Sequence, residues 1–200
     1  MYLTAFLKRK RESGFARQCS GYKADCLGVA GMIEFLSIDA ADGERIAAHS
    51  EFASGIVKKH FDSLIGAAQN DYMIAKFQSP SAIREQISSG SYYYEVWLGG
   101  TLAGFLAFYP EYGKMCLSKF YVAEPFRGKG IASEMFRFLK QKTQEAGLSA
   151  IFLHVNRHNE GPVAVYRHFG FRVAEEKKSD IGNGFVMDDY IMEWQAEENT

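Results

Sequence analysis

Long apolar runs are missing from these 200 residues, and none approaches the roughly 18 residues that a membrane-spanning helix needs. Net charge is almost missing as well. Lys and Arg number 23 against 24 Asp and Glu, so the formal charge is -1 and no overall field favours nucleic acid or an anionic membrane. Only three cysteines occur, Cys19, Cys26 and Cys116, an odd count with no close pairing, which reads as reduced thiols rather than a disulfide framework. Among the five histidines, His154 and His158 are four apart but straddle the end of an apolar run, so they do not share a helical face as paired metal ligands would. No serine or cysteine stands in a recognisable nucleophile motif. Internal repeats and low-complexity segments are absent too. The expectation is a soluble, cytoplasmic protein with no metal, no nucleic-acid partner and no membrane partner.

What is present suits one well-buried domain. Hydrophobic residues make up 47% of the chain, and sixteen Phe with eleven Tyr suggest a dense core and a lined pocket. The first 31 residues read differently. They carry a basic run, Lys8 to Arg11, few acids and no sustained apolar period, and the short apolar run Tyr2 to Leu7 precedes the charge, unlike a secretory signal. The chain therefore divides into a basic extension, 1–31, and a domain, 32–200. A disordered accessory tail and a start codon assigned too early both remain open for the extension.

Along the domain, Ile33 to Ile38 suits a strand, with Asp39 and Asp42 placed to cap a helix after it. Apolar residues recur at helical spacing from Gly43 to Ala68, predicting one or two helices broken near Asp62 or Gly66. Ser79-Pro80-Ser81 opens a short helix through Ile87, ended by Gly90. Tyr92 to Leu98, Gly99-Gly100 and Leu102 to Tyr109 give a hairpin signal, followed by a turn at Pro110 to Lys114 and a strand from Met115 to Val122. Gly128 to Ala146 is the strongest helix, with the stripe Ile131, Met135, Phe138 and Leu139 and a stop at Gly147. Ala150 to Val155 reads as a strand buried on both faces, Asn159 to His168 as a short helix, and Phe171 to Ala174 with Phe185 to Trp194 as closing strands about a Gly182-Asn183-Gly184 turn. This order predicts a single α/β (α+β) domain: a mixed, mostly antiparallel sheet with one central parallel strand-helix-strand crossover and helices on both faces.

The stretch that carries chemistry is Val122-Ala-Glu-Pro-Phe-Arg127-Gly128-Lys129-Gly130-Ile131-Ala132-Ser133, after a strand and at the opening of the long helix. Two glycines allow close backbone approach, two cations flank them, and free backbone N–H groups gather at the positive helix end. Such a turn can cradle a pyrophosphate or can simply be a solvated helix entry. It is not a P-loop, because Lys129 is followed by Gly130 rather than Ser or Thr. Nor is it a dinucleotide fingerprint, because Ser133 stands where the third glycine would be.

With the second half of the pattern, the sequence resembles the GCN5-related N-acetyltransferase family. Arg127, Gly130 and Ala132 match its Arg/Gln-x-x-Gly-x-Gly/Ala signature, and Asn159, Tyr166 and Gly170-Phe171 match its Asn, Tyr and Gly-Phe, over a likeness running from Met32 to Trp194. The resemblance implies acetyl-CoA as co-substrate. Its pyrophosphate would lie on Arg127, Gly128, Lys129, Gly130, Ile131, Ala132 and Ser133, and its pantetheine arm along Phe120, Tyr121 and Val122 as an added strand. Asn159 would contact that arm and Tyr166 would donate to the departing thiolate.

A narrower likeness, to bacterial acetyltransferases of the PaiA kind, rests on Ile56-Val-Lys-Lys-His-Phe61, Ile65-Gly66, Gln69, Tyr72-Met-Ile74, Phe77-Gln-Ser79 and Asp189-Tyr-Ile-Met-Glu193. That resemblance makes a polyamine such as spermidine or spermine the first-choice acceptor among small primary amines. Acetylation of a protein or peptide N-terminus, and a non-catalytic coenzyme-binding regulator, stay open, as does a homodimer. The acidic pair of spermidine/spermine-type enzymes is replaced by Ser118-Lys119. Glu95, Asp188 and Asp189 are the remaining carboxylates for a general base, and each by itself is expected to face solvent.

Overall fold

The structure is a computed structural model that describes residues 22–24 and 32–196. Eight strands form one mixed sheet: β1 (Tyr22–Ala24), β2 (Ile33–Ser37), β3 (Tyr92–Leu98), β4 (Thr101–Glu111), β5 (Lys114–Val122), β6 (Ala150–Asn156), β7 (Arg172–Gly182) and β8 (Phe185–Gln195), in spatial order β1-β2-β3-β4-β5-β6-β8-β7. The helices are α1 (Gly43–Ile65), α2 (Ala67–Phe77), α3 (Pro80–Ser88), α4 (Ile131–Glu145) and α5 (Glu160–His168), with a 3₁₀ turn at Glu124–Phe126. β5 and β6 pair in parallel, while β2 with β3 and β8 with both β6 and β7 pair antiparallel. The mixed α/β class and the parallel crossover are as the sequence implies.

Several elements depart from expectation. The helical stretch from Gly43 breaks at Gly66, where φ is 86°, and beyond it lies a further helix, α2, that apolar spacing did not predict. Asp62, the other candidate break, stays within α1 and accepts a hydrogen bond from Asn70 Nδ2 at 2.8 Å. The tight turn after β4 is confined to Tyr112 and Gly113, both at positive φ. α4 starts at Ile131 rather than Gly128. β7 runs eleven residues to Gly182 instead of stopping at Ala174, because a charged strand, Glu175 to Asp180, pairs along β8 as an exposed edge. Part of the expected extension is also used: Tyr22–Ala24 pairs antiparallel with Ile33–Phe35. The rest of 1–31, with Cys19 and Cys26, lies outside the described residues. Cys116 is buried within β5.

The described residues fall into two compact units. One comprises 22–24, 32–107 and 119–135, the other 108–118 and 136–196. In the first, Ile38, Ile46, Ile83, Tyr93 and Ala107 pack together, with Ile87 against them. Asp42 caps α1 through Arg45 N at 3.0 Å, and Ser79 caps α3 with Pro80 in its first turn, both as their residue types predict. In the second unit the core is aromatic. Phe136 stacks on Phe169 at 4.7 Å between ring centroids, meets Phe171 at 5.5 Å, and takes Trp194 edge-on at 5.7 Å. The predicted α4 stripe, Ile131, Met135, Phe138 and Leu139, is buried throughout.

Candidate functional site

In the first unit, β5 delivers the chain to the glycine-bearing turn. Ala123 N donates to Ala103 O at 2.8 Å, and the 3₁₀ turn closes through Phe126 N to Ala123 O and Arg127 N to Glu124 O. Lys59 of α1 forms an ion pair with Glu124. Gly128 and Gly130 have φ of 73° and 77°, conformations that L side chains adopt at a cost, so glycine is required there by the backbone path. α4 then begins. Gly130 O receives the N–H groups of Ser133 and Glu134, while Ile131 and Ala132, at the helix start, have no intrahelical acceptor. Arg127 Nε folds back onto Val122 O at 3.1 Å, and Lys129 Nζ sits 5.3 Å above the Phe126 ring. Arg127, Gly128, Lys129, Gly130 and Ser133 are exposed, Ala132 is half-buried and Ile131 is buried. Donor groups, two cations and a positive helix end meet on an open surface, a set that fits a doubly charged phosphate ligand.

The strand leading in is tightly seated. Phe120, Tyr121 and Val122 are half-buried, and Tyr121 stacks on Phe105 at 5.0 Å. Burial pushes the Tyr121 hydroxyl up to about 12. One residue before Phe120, Lys119 is buried, donates to Phe77 O at 3.1 Å and lies 5.7 Å from the Tyr93 ring. Burial brings its ammonium down to about 7. The same carbonyl accepts from Gln86 Nε2, and Gln86 Oε1 accepts from the Tyr93 hydroxyl, so Lys119 belongs to a buried polar network at the end of α2. Sequence reasoning saw only a missing acidic pair here. The signal was available: alternation along β5 puts Lys119 on the face of Leu117 and Tyr121.

Glu95 is buried as well, against the expectation of solvent. Arg45 donates to its Oε2 from Nε at 3.1 Å and from Nη2 at 2.7 Å, and Trp97 Nε1 adds a bond at 3.2 Å. His49 is wholly buried with Nδ1 3.5 Å from Oε1, at the limit of hydrogen bonding. Burial alone would raise the Glu95 carboxyl, but the contacts to His49 and Arg45 and the Arg45 charge hold it below the usual range. The carboxylate is committed to its cluster.

In the second unit, β5 and β6 pair over Met115–Leu117 and Ile151–Leu153, while β6 itself continues to Asn156. Asn159 N then donates to Asn156 O at 2.9 Å, and Asn159 O receives Val163 N at 3.1 Å, which places Asn159, buried, at the N-terminus of α5. Tyr166 is half-buried, and its ring meets Phe171 edge-on at 5.7 Å. Asp188 is partly exposed and lies 3.7 Å from Arg157 Nη1 and 3.6 Å from Lys178 Nζ. Asp189 is buried, again contrary to expectation, and burial, with the Asp188 charge adding to it, pushes its carboxyl up to about 6. Thus Arg127 to Ser133 form a turn and the first residues of α4, fed by Phe120 to Val122, while Asn159 stands at the N-cap of α5, the helix that carries Tyr166. Among the described residues, no group of three His, Cys, Asp or Glu is placed to hold a metal, and no helix is long and apolar enough to cross a membrane.

A mixed sheet with a parallel crossover, whose connecting helix opens on a cation-flanked glycine turn, defines the class: an α/β protein with an exposed, donor-rich helix entry. Residues 61–171, more than half of the chain, match the Acetyltransferase (GNAT) family, and the chain belongs to that family. It is 32% identical over 89 residues to the spermine/spermidine N(1)-acetyltransferase of Bacillus subtilis (strain 168), a match that covers 40% of this chain and only 56% of that protein. Among solved structures, it is similar to the PaiA N-acetyltransferase of Thermoplasma acidophilum in complex with coenzyme A. The TM-score is 0.65 with 20% identity, over 82% of this chain and 98% of that one. The ribosomal-protein-S18-alanine N-acetyltransferase of Escherichia coli is similar at a TM-score of 0.58 with 16% identity, over 84% of this chain and 99% of that one. At these identities the two structures speak to the fold.

Proposed function

We propose that this protein is an acetyl-CoA-dependent N-acetyltransferase acting on a primary amine, with a polyamine as first-choice acceptor. The observation that carries the reading is the Arg127–Ser133 turn: two glycines at positive φ, two cations and the open start of α4, inside the span that matches the family. The likeness to a spermine/spermidine acetyltransferase supports the choice of acceptor.

The chemistry assigns work to the remaining residues. The amine must be neutral to attack. With a pKa of about 10.4, only about one in a few thousand molecules is neutral at pH 7, a cost of roughly 4–5 kcal/mol. Its lone pair forms the C–N bond as the C–S bond of the thioester breaks. The proton lost from nitrogen goes to a base, and Tyr166 gives a proton to sulfur. Phe120–Val122 would align the coenzyme arm as an added strand. Asn159 is the residue that the family resemblance assigns to contact with that arm.

The test is thiol release from acetyl-CoA with spermidine, spermine, smaller diamines and peptides bearing free N-termini. Turnover with the polyamines is expected. Turnover confined to peptide α-amines moves the acceptor to a protein terminus. Coenzyme binding without turnover on any amine leaves a binding protein.

A further inference from the structure

Of the three carboxylates that the sequence offers as candidates for the amine proton, two are already engaged: Glu95 by Arg45, Asp188 by Arg157 and Lys178. Asp189 is not. Among the described residues no cation forms a salt bridge with it, although the residue is only 4% exposed. An acid buried without a countercharge costs stability, and such arrangements concentrate where a carboxylate has chemistry to perform.

Its place in the sheet gives the argument its geometry. Asp189 stands opposite Asn156, the last residue of β6, and opposite Lys177 of β7. Directly paired residues share a face of an antiparallel ladder, so Asp189 lies on the face of Asn156 and, one pair further in, of His154 and Ile191. Asn156 holds Asn159 through its carbonyl, so Asp189 is across one rung from the segment proposed to contact the coenzyme arm. Trp194, five residues along β8, points to the opposite face. There it meets Phe136, which packs on Phe171, and Phe171 meets the Tyr166 ring. Tyr166 and Asp189 therefore belong to opposite sides of the β6–β8 ladder.

We propose that Asp189 is the catalytic base that takes the proton from the attacking amine, directly or through one water, while Tyr166 serves the sulfur from the other side. This rests on the acetyltransferase reading above. The proton passes from the amine nitrogen to the Asp189 carboxylate as the C–N bond forms, and it returns to solvent after the product leaves. The charged and titratable groups around Asp189 are Asp188 beside it, Lys177 and Glu175 of β7, and His154 of β6. Burial, with Lys177 adding to it, brings His154 down to about 4, so it stays neutral through the working range and does not compete. Asp189, held near 6 by burial and by Asp188, is ionised at pH 7.5 and still basic.

The experiment is the pH dependence of kcat/KM from pH 5 to 9 for the wild type, Asp189→Asn and Asp189→Glu, with acetyl-CoA and the best amine from the panel. The wild type should show an acid limb near pH 6. Asp189→Asn should lose about 10²–10³-fold in kcat, lose that limb, and climb with pH as the amine deprotonates itself. Its loss should shrink with a weakly basic amine of pKa about 7, which needs no base. Asp189→Glu should recover part of the rate, and coenzyme affinity by calorimetry should stay within twofold in both variants. A retained acid limb, a loss equal for strong and weak amines, or collapsed coenzyme affinity would make Asp189 structural and overturn the proposal. A wild type inactive on every amine would instead remove the acetyltransferase reading itself, and this role with it.

Discussion

Gly104 of β4 lies so close to β5 that a Cβ on it would stand 2.4 Å from the Tyr121 carbonyl oxygen and 3.3 Å from the Val122 Cα. Two backbones meet there with no side chain between them, and the one that would be displaced carries the residues proposed to align the coenzyme arm.

Gly104→Ala must push Tyr121 and Val122 outward or distort β4. Overpacking of this kind costs about 1–3 kcal/mol, read as a lower midpoint in denaturant unfolding. Coenzyme A affinity should fall as well, because the edge that the arm would follow has moved. A melt and an affinity both matching the wild type would mean that β5 yields without cost, and the strand would then be no rigid template.

The anion cradle is tested at Gly130. Gly130→Glu puts a side chain on a residue at φ 77° and a negative charge among Arg127, Lys129 and the start of α4. Coenzyme A binding measured by calorimetry should weaken at least 100-fold, about 3 kcal/mol. Gly130→Ala shares the backbone strain without the charge and should lose less. Equal losses in the two would point to strain, and affinity within twofold of the wild type for Gly130→Glu would take this turn out of coenzyme binding.

How much of this was legible depended on whether a residue's type carried its environment. The α4 stripe was, since Ile131, Met135, Phe138 and Leu139 repeat at helical spacing and all four are buried. The Arg127–Ser133 turn was legible as a glycine-bearing helix entry flanked by two cations, and Gly128 and Gly130 take positive φ there. The extension of β7 was not: Glu175-Glu176-Lys177-Lys178 has no apolar alternation, and only its pairing along β8 holds it extended. Charged residues misled in the other direction. Glu95 and Asp189 look like solvent-facing positions in the sequence, yet each is buried by partners distant in the chain: Arg45 and His49 for Glu95, and the β6 and β7 neighbours of β8 for Asp189. No local pattern encodes those contacts.

Lys119 gives a stability prediction with a definite sign. Its ammonium titrates near 7 in the folded protein and near 10.5 when unfolded, so between those values the unfolded chain binds the extra proton. Stability contributed at this site therefore rises with pH across that window, and the full penalty of burying the charge is present below pH 7. Lys119→Met fills similar volume without the charge, and Phe77 O keeps its bond from Gln86 at 3.1 Å. The variant should be more stable than the wild type by about 1–4 kcal/mol at pH 6.5, the range found when buried charges are replaced by apolar groups. That advantage should shrink towards pH 9.5. An advantage constant across this range would show that Lys119 does not titrate there, and a destabilised variant at every pH would show that the bond to Phe77 O outweighs the burial cost.

Tyr166 separates a working enzyme from a coenzyme-binding relic. Tyr166→Phe keeps the edge-on contact of the ring with Phe171 at 5.7 Å and removes only the hydroxyl. The coenzyme thiol is already a fair leaving group, with a pKa near 8.5 by analogy with cysteine, so a proton donor helps without being indispensable. General acid catalysis contributes about 10²–10⁴-fold, and the low end is expected here. Acetyl-CoA affinity should barely move, because the hydroxyl acts as the carbon–sulfur bond breaks rather than on the bound ground state. Steady-state turnover and calorimetric affinity, measured side by side for wild type and Tyr166→Phe, distinguish the outcomes. A fall in kcat with unchanged affinity assigns the proton to Tyr166. Unchanged turnover reduces it to a packing residue beside Phe171, and an inactive wild type that still binds the coenzyme hands the chain to the regulatory reading.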